Sequence, residues 1–200
     1  MAKRLELHGY DAAADPYCYA GTAILKNLPG IRDQHSLDAY EKAMTDQRSD
    51  EPLPNGRLGA AHYRAIHRHL FQDVYAWAGK YRTIRIAKNG NAFCYPENIV
   101  REMNTVFAAL GKSRGLRRLS KSHFASAAAA FLATLNAIHP FREGNGRAQL
   151  TFMALLAERA GHPLDLDRLD PRRFLRAMVQ SFGGDERVLR HELAMLVGRR

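Results

Sequence analysis

His139-Pro140-Phe141-Arg142-Glu143-Gly144-Asn145-Gly146-Arg147 is the stretch on which the reading of this chain turns. It follows an apolar, alanine-rich run and precedes a second apolar run that starts near Gly146. Pro140 disfavours helical geometry in the residue before it, so the first run ends there and the stretch joins two helices. Gly144 and Gly146 let the backbone turn tightly and approach a ligand closely. The first amides of the following helix lack intrahelical partners and carry the positive end of its dipole, an arrangement suited to phosphate. Arg147 adds a donor fork for phosphate oxygens. Glu143 can hold a divalent cation through oxygen. His139 can take up a proton near neutral pH. Phe141 reads as an apolar anchor. Each part alone is common, but within nine residues they complement one another around one phosphate-bearing ligand. The chain has neither GxxxxGK[ST] nor GxGxxG after a strand, so a nucleotide would be held by neither of those devices.

On either side the chain reads as helices. Ser36 is placed to cap a helix running to about Thr45. Ser49–Gly59 is loop-like, with two prolines and two glycines, and separates an N-terminal extension (1–57) from a main body (58–200). From Leu58 to Trp77, Tyr63, Ile66, Leu70 and Val74 recur at helical spacing, and Gly79 ends the run. Ile99, Met103, Val106, Phe107 and Leu110 form one face of a helix after Pro96, with Gly111 as its stop. The next starts near Ser120 and carries four consecutive alanines, 127–130, which suit a central helix approached closely by its neighbours. A helix over about 146–160 precedes Gly161. Asp170 and Pro171 announce another, closed by Gly183-Gly184. Val188, Leu189, Leu193 and Leu196 mark the last.

One segment breaks the helical period. Tyr81–Cys94 alternates apolar and polar residues around Asn89-Gly90, a pair that readily takes the positive φ angles of a hairpin turn. A lone hairpin must lean on the body of a protein. The fold class expected is therefore all-α with a small β-hairpin placed as a flap over a site.

Composition agrees with a globular chain: 200 residues, 46% hydrophobic and 25% charged. Two cysteines exclude a disulfide-dense scaffold and a four-cysteine zinc site, and suggest reduced thiols in the cytoplasm. No apolar run is long enough to span a membrane. The start, MAKRLELHGY, has no apolar stretch behind its basic residues, so no secretory signal is expected. The net charge of +10 invites a nucleic-acid partner, but the basic residues are scattered and no helix-turn-helix signal accompanies them, so direct nucleic-acid binding is not expected. His62, His67 and His69 offer a rival reading as a metal site. They form no HExxH, and core or surface histidines are the simpler reading.

The run His139–Arg147 resembles the signature of the Fic family, His-x-Phe-x-(Asp/Glu)-Gly-Asn-Gly-Arg-x-x-Arg. HLFQDVYAWAGKYRTIRI (69–86) resembles the helix and flap region of that family, and YCYAGTAILKNLPGIRD (17–33) the N-terminal part of its bacterial toxin-type members. The resemblance covers most of residues 10–200. It implies a helical Fic fold and protein adenylyltransferase activity, in which AMP passes from ATP to a side-chain hydroxyl of a target protein. By position it makes His139 the general base, Glu143 the Mg²⁺ ligand, Gly144, Asn145 and Gly146 an anion hole, Arg147 the holder of the outer phosphates and Phe141 structural. It makes Lys88, Asn89, Gly90, Asn91, Ala92 and Phe93 a flap that aligns an extended target segment by main-chain pairing. In the kinase-like branch the place of Gly146 resembles a lysine, so glycine favours AMP over phosphate transfer.

One position departs from the pattern. The second motif arginine would fall at 150, which is Leu150. Leucine can contact neither a γ-phosphate nor an inhibitory glutamate, and Gln149 is the nearest polar substitute. The Ser/Thr-x-x-x-Glu-Gly/Asn inhibitory motif of many relatives is not found: Ser36 is followed by Tyr40 and Ser181 by Asp185. The resemblance therefore points to the class inhibited in trans by a small antitoxin supplying the glutamate. The partners implied are the ATPase subunits of DNA gyrase and topoisomerase IV as targets. A degenerate member that binds nucleotide with weak transfer is the alternative that Leu150 raises.

Overall fold

Seven helices and one minimal hairpin make up the computed structural model over the residues it describes, 15–88 and 91–198. They are α1 (Gln34–Ser49), α2 (Ala60–Phe71), β1 (Ala87–Lys88), β2 (Asn91–Ala92), α3 (Pro96–Lys112), α4 (Lys121–Ile138), α5 (Asn145–Ala160), α6 (Pro171–Phe182) and α7 (Arg187–Leu196). Central α4 packs against α3, α5, α6 and α7. Its alanines make this possible: Ala125, Ala128 and Ala129 are fully buried, so neighbouring helices approach the backbone closely. Phe124, Leu132 and Leu135 fill the space between them. Cys18, Leu25 and Leu37, from the N-terminal part, join the same apolar core as Phe141, Phe152 and Leu189. Among the described residues no helix is long and apolar enough to cross a membrane.

Several helix ends follow their sequence signals. Ser120 caps α4 by accepting from the His123 amide, and the Asp170 carboxylate caps α6 at Arg172 and Arg173. Gly161 closes α5 in the left-handed region at φ 84°. Others differ. Asp33, not Ser36, caps α1: its carboxylate accepts from the Ser36 amide at 2.8 Å, and the helix runs on to Ser49. Helix α2 stops at Phe71 rather than Trp77. The turns that follow, with the Val74 and Tyr75 amides on the Phe71 carbonyl, keep Val74, Tyr75 and Ala78 facing inward. The apolar spacing thus continues after the helix has ended. Gly111 does not stop α3, which continues to Lys112.

The hairpin is shorter than the alternation over 81–94 implied. Its ladder is antiparallel and pairs Ala87 with Ala92 and Lys88 with Asn91. The expected Asn89-Gly90 turn lies outside the described residues, as do the first 14 residues and Arg199-Arg200. The reason for the short ladder is competition. The Arg82 amide donates to the Pro140 carbonyl at 2.9 Å and the Cys94 amide to the Ala137 carbonyl at 3.1 Å. Beyond the ladder the stem keeps one cross-strand bond, from the Phe93 amide to the Ile86 carbonyl at 3.2 Å, and further out it is bonded to the end of α4.

Candidate active site

Helices α4 and α5 meet end to end around residues 139–144, and the site is built from those two ends. At the first, His139 is the C-cap of α4 with φ 48° and ψ 62°, a left-handed conformation that a residue with a side chain adopts at a cost of about 1–3 kcal/mol. The hydrogen bond from the His139 amide to the Leu135 carbonyl holds it there, and the proline behind it keeps the helix from continuing. The imidazole lies against the Phe93 ring, centroids 3.9 Å apart and planes 16° from parallel, and Phe182 meets Phe93 edge-on. Its Nδ1 is buried without a hydrogen-bond partner. Burial, then the Arg82 guanidinium, push its pKa down to about 3, with a smaller upward pull from the Asn136 carbonyl and a further lowering by Lys88. The ring is therefore held neutral at pH 7.

At the second end, Gly144 precedes α5 at φ 79° and offers no side-chain cap. A Cβ there would run into the Phe71 ring, so position 144 requires glycine on two grounds. A Cβ on Gly146 would meet nothing within 4 Å, which leaves open space beside the first turn. The Asn145 side chain is committed elsewhere. Its Oδ1 accepts from the Phe141 amide at 3.0 Å and its Nδ2 donates to the Phe141 carbonyl at 2.8 Å, closing the loop. What Asn145 can offer a phosphate is its backbone amide. Phe141 is fully buried and stacks on His67 at 3.7 Å. Glu143 is about half exposed (48%), with Oε1 accepting from the Gly144 amide at 2.8 Å. Arg147 lies over the Phe71 face at 4.6 Å, and its Nη2 is 4.0 Å from Glu143. Leu150 is half-buried on α5. Gln149 is buried among the core contacts with its Nε2 unpartnered, so it is not placed at the surface of the site.

Three further residues shape the site and carried no signal in the motif. Glu41 of α1 accepts from Arg147 Nη2 at 2.5 Å and from the Tyr75 hydroxyl, while Arg147 Nη1 reaches the Thr45 hydroxyl at 3.4 Å. Glu41 stands five residues after Ser36, one more than the Ser/Thr-x-x-x-Glu spacing of an inhibitory glutamate. His67 supports the loop from behind. The Gly79 amide can only donate, and it does so to Nδ1 at 2.9 Å, so the ring proton sits on Nε2 and bonds the Glu143 carbonyl at 2.9 Å. Burial pushes the His67 pKa down to about 4. Arg82, buried to 2% exposure, spans the stem of the flap and the end of α4. Behind the loop, Arg142 donates to Asp15 at 2.8 Å in a nearly buried pair that joins the N-terminal segment to the site. His62 and His69 bond the Pro54 and Arg48 carbonyls, and no cluster of metal-ligating side chains occurs among the described residues. The alternative metal site is not assembled.

A neutral, buried imidazole thus stands at one helix end, opposite an uncapped helix N-terminus flanked by a carboxylate and an arginine. Residues 57–157 match the family profile described as Fic/DOC family. The chain belongs to the Fic/DOC family. It is 53% identical over 189 residues to the Probable protein adenylyltransferase y4lH of Sinorhizobium fredii, covering 94% of this chain and 98% of that protein. It is 36% identical to the Protein adenylyltransferase VbhT of Bartonella schoenbuchensis, covering 88% of this chain and 37% of VbhT. Among solved structures it resembles the BepC effector of Bartonella tribocorum with bound AMPPNP, with a TM-score of 0.85 at 27% identity, over 92% of this chain and 97% of that one. The helical fold of this Fic protein is thus that of nucleotide-bound relatives.

Proposed function

We propose that this Fic protein transfers AMP from ATP to a side-chain hydroxyl of a target protein. The observation that carries the reading is the neutral, buried His139 placed directly before an α5 N-terminus that has no side-chain cap. The hydroxyl oxygen attacks the α-phosphorus, its proton passes to His139, the new O–P bond forms and the bond to the β-phosphate oxygen breaks, releasing pyrophosphate. Such a displacement depends on positioning and on offsetting charge more than on covalent help. The amides of Asn145 and Gly146 serve the phosphates, the Gly144 amide joins them once its bond to Glu143 Oε1 is given up, and the open side of Gly146 gives the pyrophosphate end room. Arg147 adds the positive side chain. The half-exposed Glu143 carboxylate fits a Mg²⁺ ion, which when bound offsets phosphate charge. The hairpin strands Ala87–Lys88 and Asn91–Ala92, with Phe93 behind them, are the flap that receives an extended target segment.

The resemblance of residues 17–33 to toxin-type members supports a finer reading. In it, the chain is the toxin of a toxin–antitoxin pair in the bacterial cytoplasm. Its targets are the ATPase subunits of gyrase and topoisomerase IV, and a small partner inhibits it. The deciding experiment incubates the protein, Mg²⁺ and bacterial lysate with α- or γ-labelled ATP, beside His139→Ala. The expected result is α-label alone on a protein band, reduced about 10²- to 10⁴-fold in the variant while ATP binding persists. Transfer of γ-label overturns AMP transfer, and undiminished transfer by His139→Ala removes His139 as the base.

A further inference from the structure

Arg82 carries a full charge in the interior and no carboxylate pairs with it among the described residues. Its partners are four backbone carbonyls: Nε donates to His139 at 2.8 Å, Nη1 to Ile84 at 2.6 Å, and Nη2 to Cys94 at 2.5 Å and Ile138 at 3.2 Å. Two of these carbonyls belong to the C-terminal end of α4, where the helix dipole is negative. The other two stand at the two roots of the flap. With the Arg82 and Cys94 amides, the carbonyls of residues 137 to 140 are all satisfied from the flap stem. An apolar side chain of similar volume would fill the space without the cost of a buried, unpaired charge. The cation thus has a purpose other than filling, and its geometry names that purpose.

We propose that Arg82 is a positioning residue for AMP transfer, which fixes the flap to the left-handed turn at His139 so that base and target segment are held in one rigid unit. The inference rests on the reading of His139 as the base. Only a planar fork with several donors reaches both roots and the helix end together. Lysine keeps the charge but not the reach. The phosphate end of the site, 143–147, makes no contact with the guanidinium, so nucleotide affinity is not what Arg82 serves.

The test compares Arg82→Lys with the native protein for folding, ATP affinity and steady-state transfer to a target identified by α-label. The expected result is a folded variant with ATP affinity within about twofold of native and kcat lower by about 100-fold, the scale of an ångström-sized misplacement. Native kcat in the variant overturns the proposal, as does a loss of ATP affinity matching the loss of kcat. A second measurement uses the native protein alone and covers the case of a variant that does not fold. Hydrogen exchange by NMR should show the Arg82 Nε–H, the His139 amide and the Cys94 amide opening together at one rate. Flap amides that exchange more than about tenfold faster than the other two would separate flap from base and overturn the proposal. Neither exchange nor folding depends on catalysis. Persistent transfer by His139→Ala would therefore sink the reading of the base and leave this measurement standing.

Discussion

The two helix ends that make the site are finished in opposite ways. At the C-terminus of α4 the carbonyls of residues 137 to 140 are taken up by the flap stem, and the imidazole there is covered by Phe93. At the N-terminus of α5 the cap is a bare glycine, the space beside Gly146 is open, and Glu143 and Arg147 remain partly exposed. The first end is closed and holds a group that must be neutral. The second is open and faces a ligand that must come and go. A base gains from the exclusion of water and from fixed geometry, whereas a phosphate site has to exchange its charged occupant.

Acid is the broadest way to break the closed end. His139 and His67 fall from the ordinary 6.5 to about 3 and about 4 in the folded protein. Below pH 6.5 the unfolded chain takes up protons that the folded chain refuses, so stability falls as pH drops toward 4 and is unaffected by these groups above 6.5. For His67 alone the loss approaches the order of 3 kcal/mol. Urea midpoints from pH 8 to pH 4 should show the decline, and His67→Gln should flatten part of it. A flat profile would mean that neither ring is held neutral by burial.

Gly144→Ala breaks the open end. The substituted residue must hold a left-handed φ and displace Phe71, the ring on which Arg147 lies. A loss of about 2–4 kcal/mol is expected, together with loss of ATP binding. Thermal unfolding and nucleotide titration read the two effects separately.

Phe93→Ala opens the closed end without touching the open one. The stacked ring is worth about 1 kcal/mol, so the protein stays folded. With burial as the main cause of its depressed pKa, the His139 imidazole should titrate well above 3 in the variant, moving toward 6.5. An NMR titration of the ring decides it. An unchanged pKa would assign the depression to Arg82 instead.

How much of this could be read in advance follows the same division. The open end is contiguous: glycines, glutamate and arginine stand within five residues, and their spacing alone places them on one helix start. The helices announced by Ser120, Asp170-Pro171 and Gly161 were equally local. The closed end depends on side chains that meet it from far along the chain. Arg82 lies 57 residues from the carbonyl of His139, and His67 lies 76 from that of Glu143. Nothing local distinguishes Arg82 from the many surface arginines of a basic chain. The hairpin shows the limit from another side: alternation over 81–94 gave the extended backbone but not its partner, which is α4.

Glu41 gives the smallest effect and the sharpest question about the open end, because it lies 106 residues from Arg147 and already occupies one of its donors. A carboxylate on this arginine either competes with phosphate or aims the guanidinium at it. Arg147 is 40% exposed, so the pair is partly screened and its strength modest. The arginine keeps donors beyond those used by Glu41 and Thr45, and Phe71 holds its plane independently of the carboxylate. Orientation therefore survives loss of the charge, and competition is the larger contribution. Glu41→Gln retains an acceptor for the Tyr75 hydroxyl and removes the negative charge. The KM for ATP should fall by about two- to fivefold with kcat unchanged. A rise in KM at constant kcat would reverse the assignment and make Glu41 the residue that aims Arg147, so that the open end, too, depends on a contact from far along the chain.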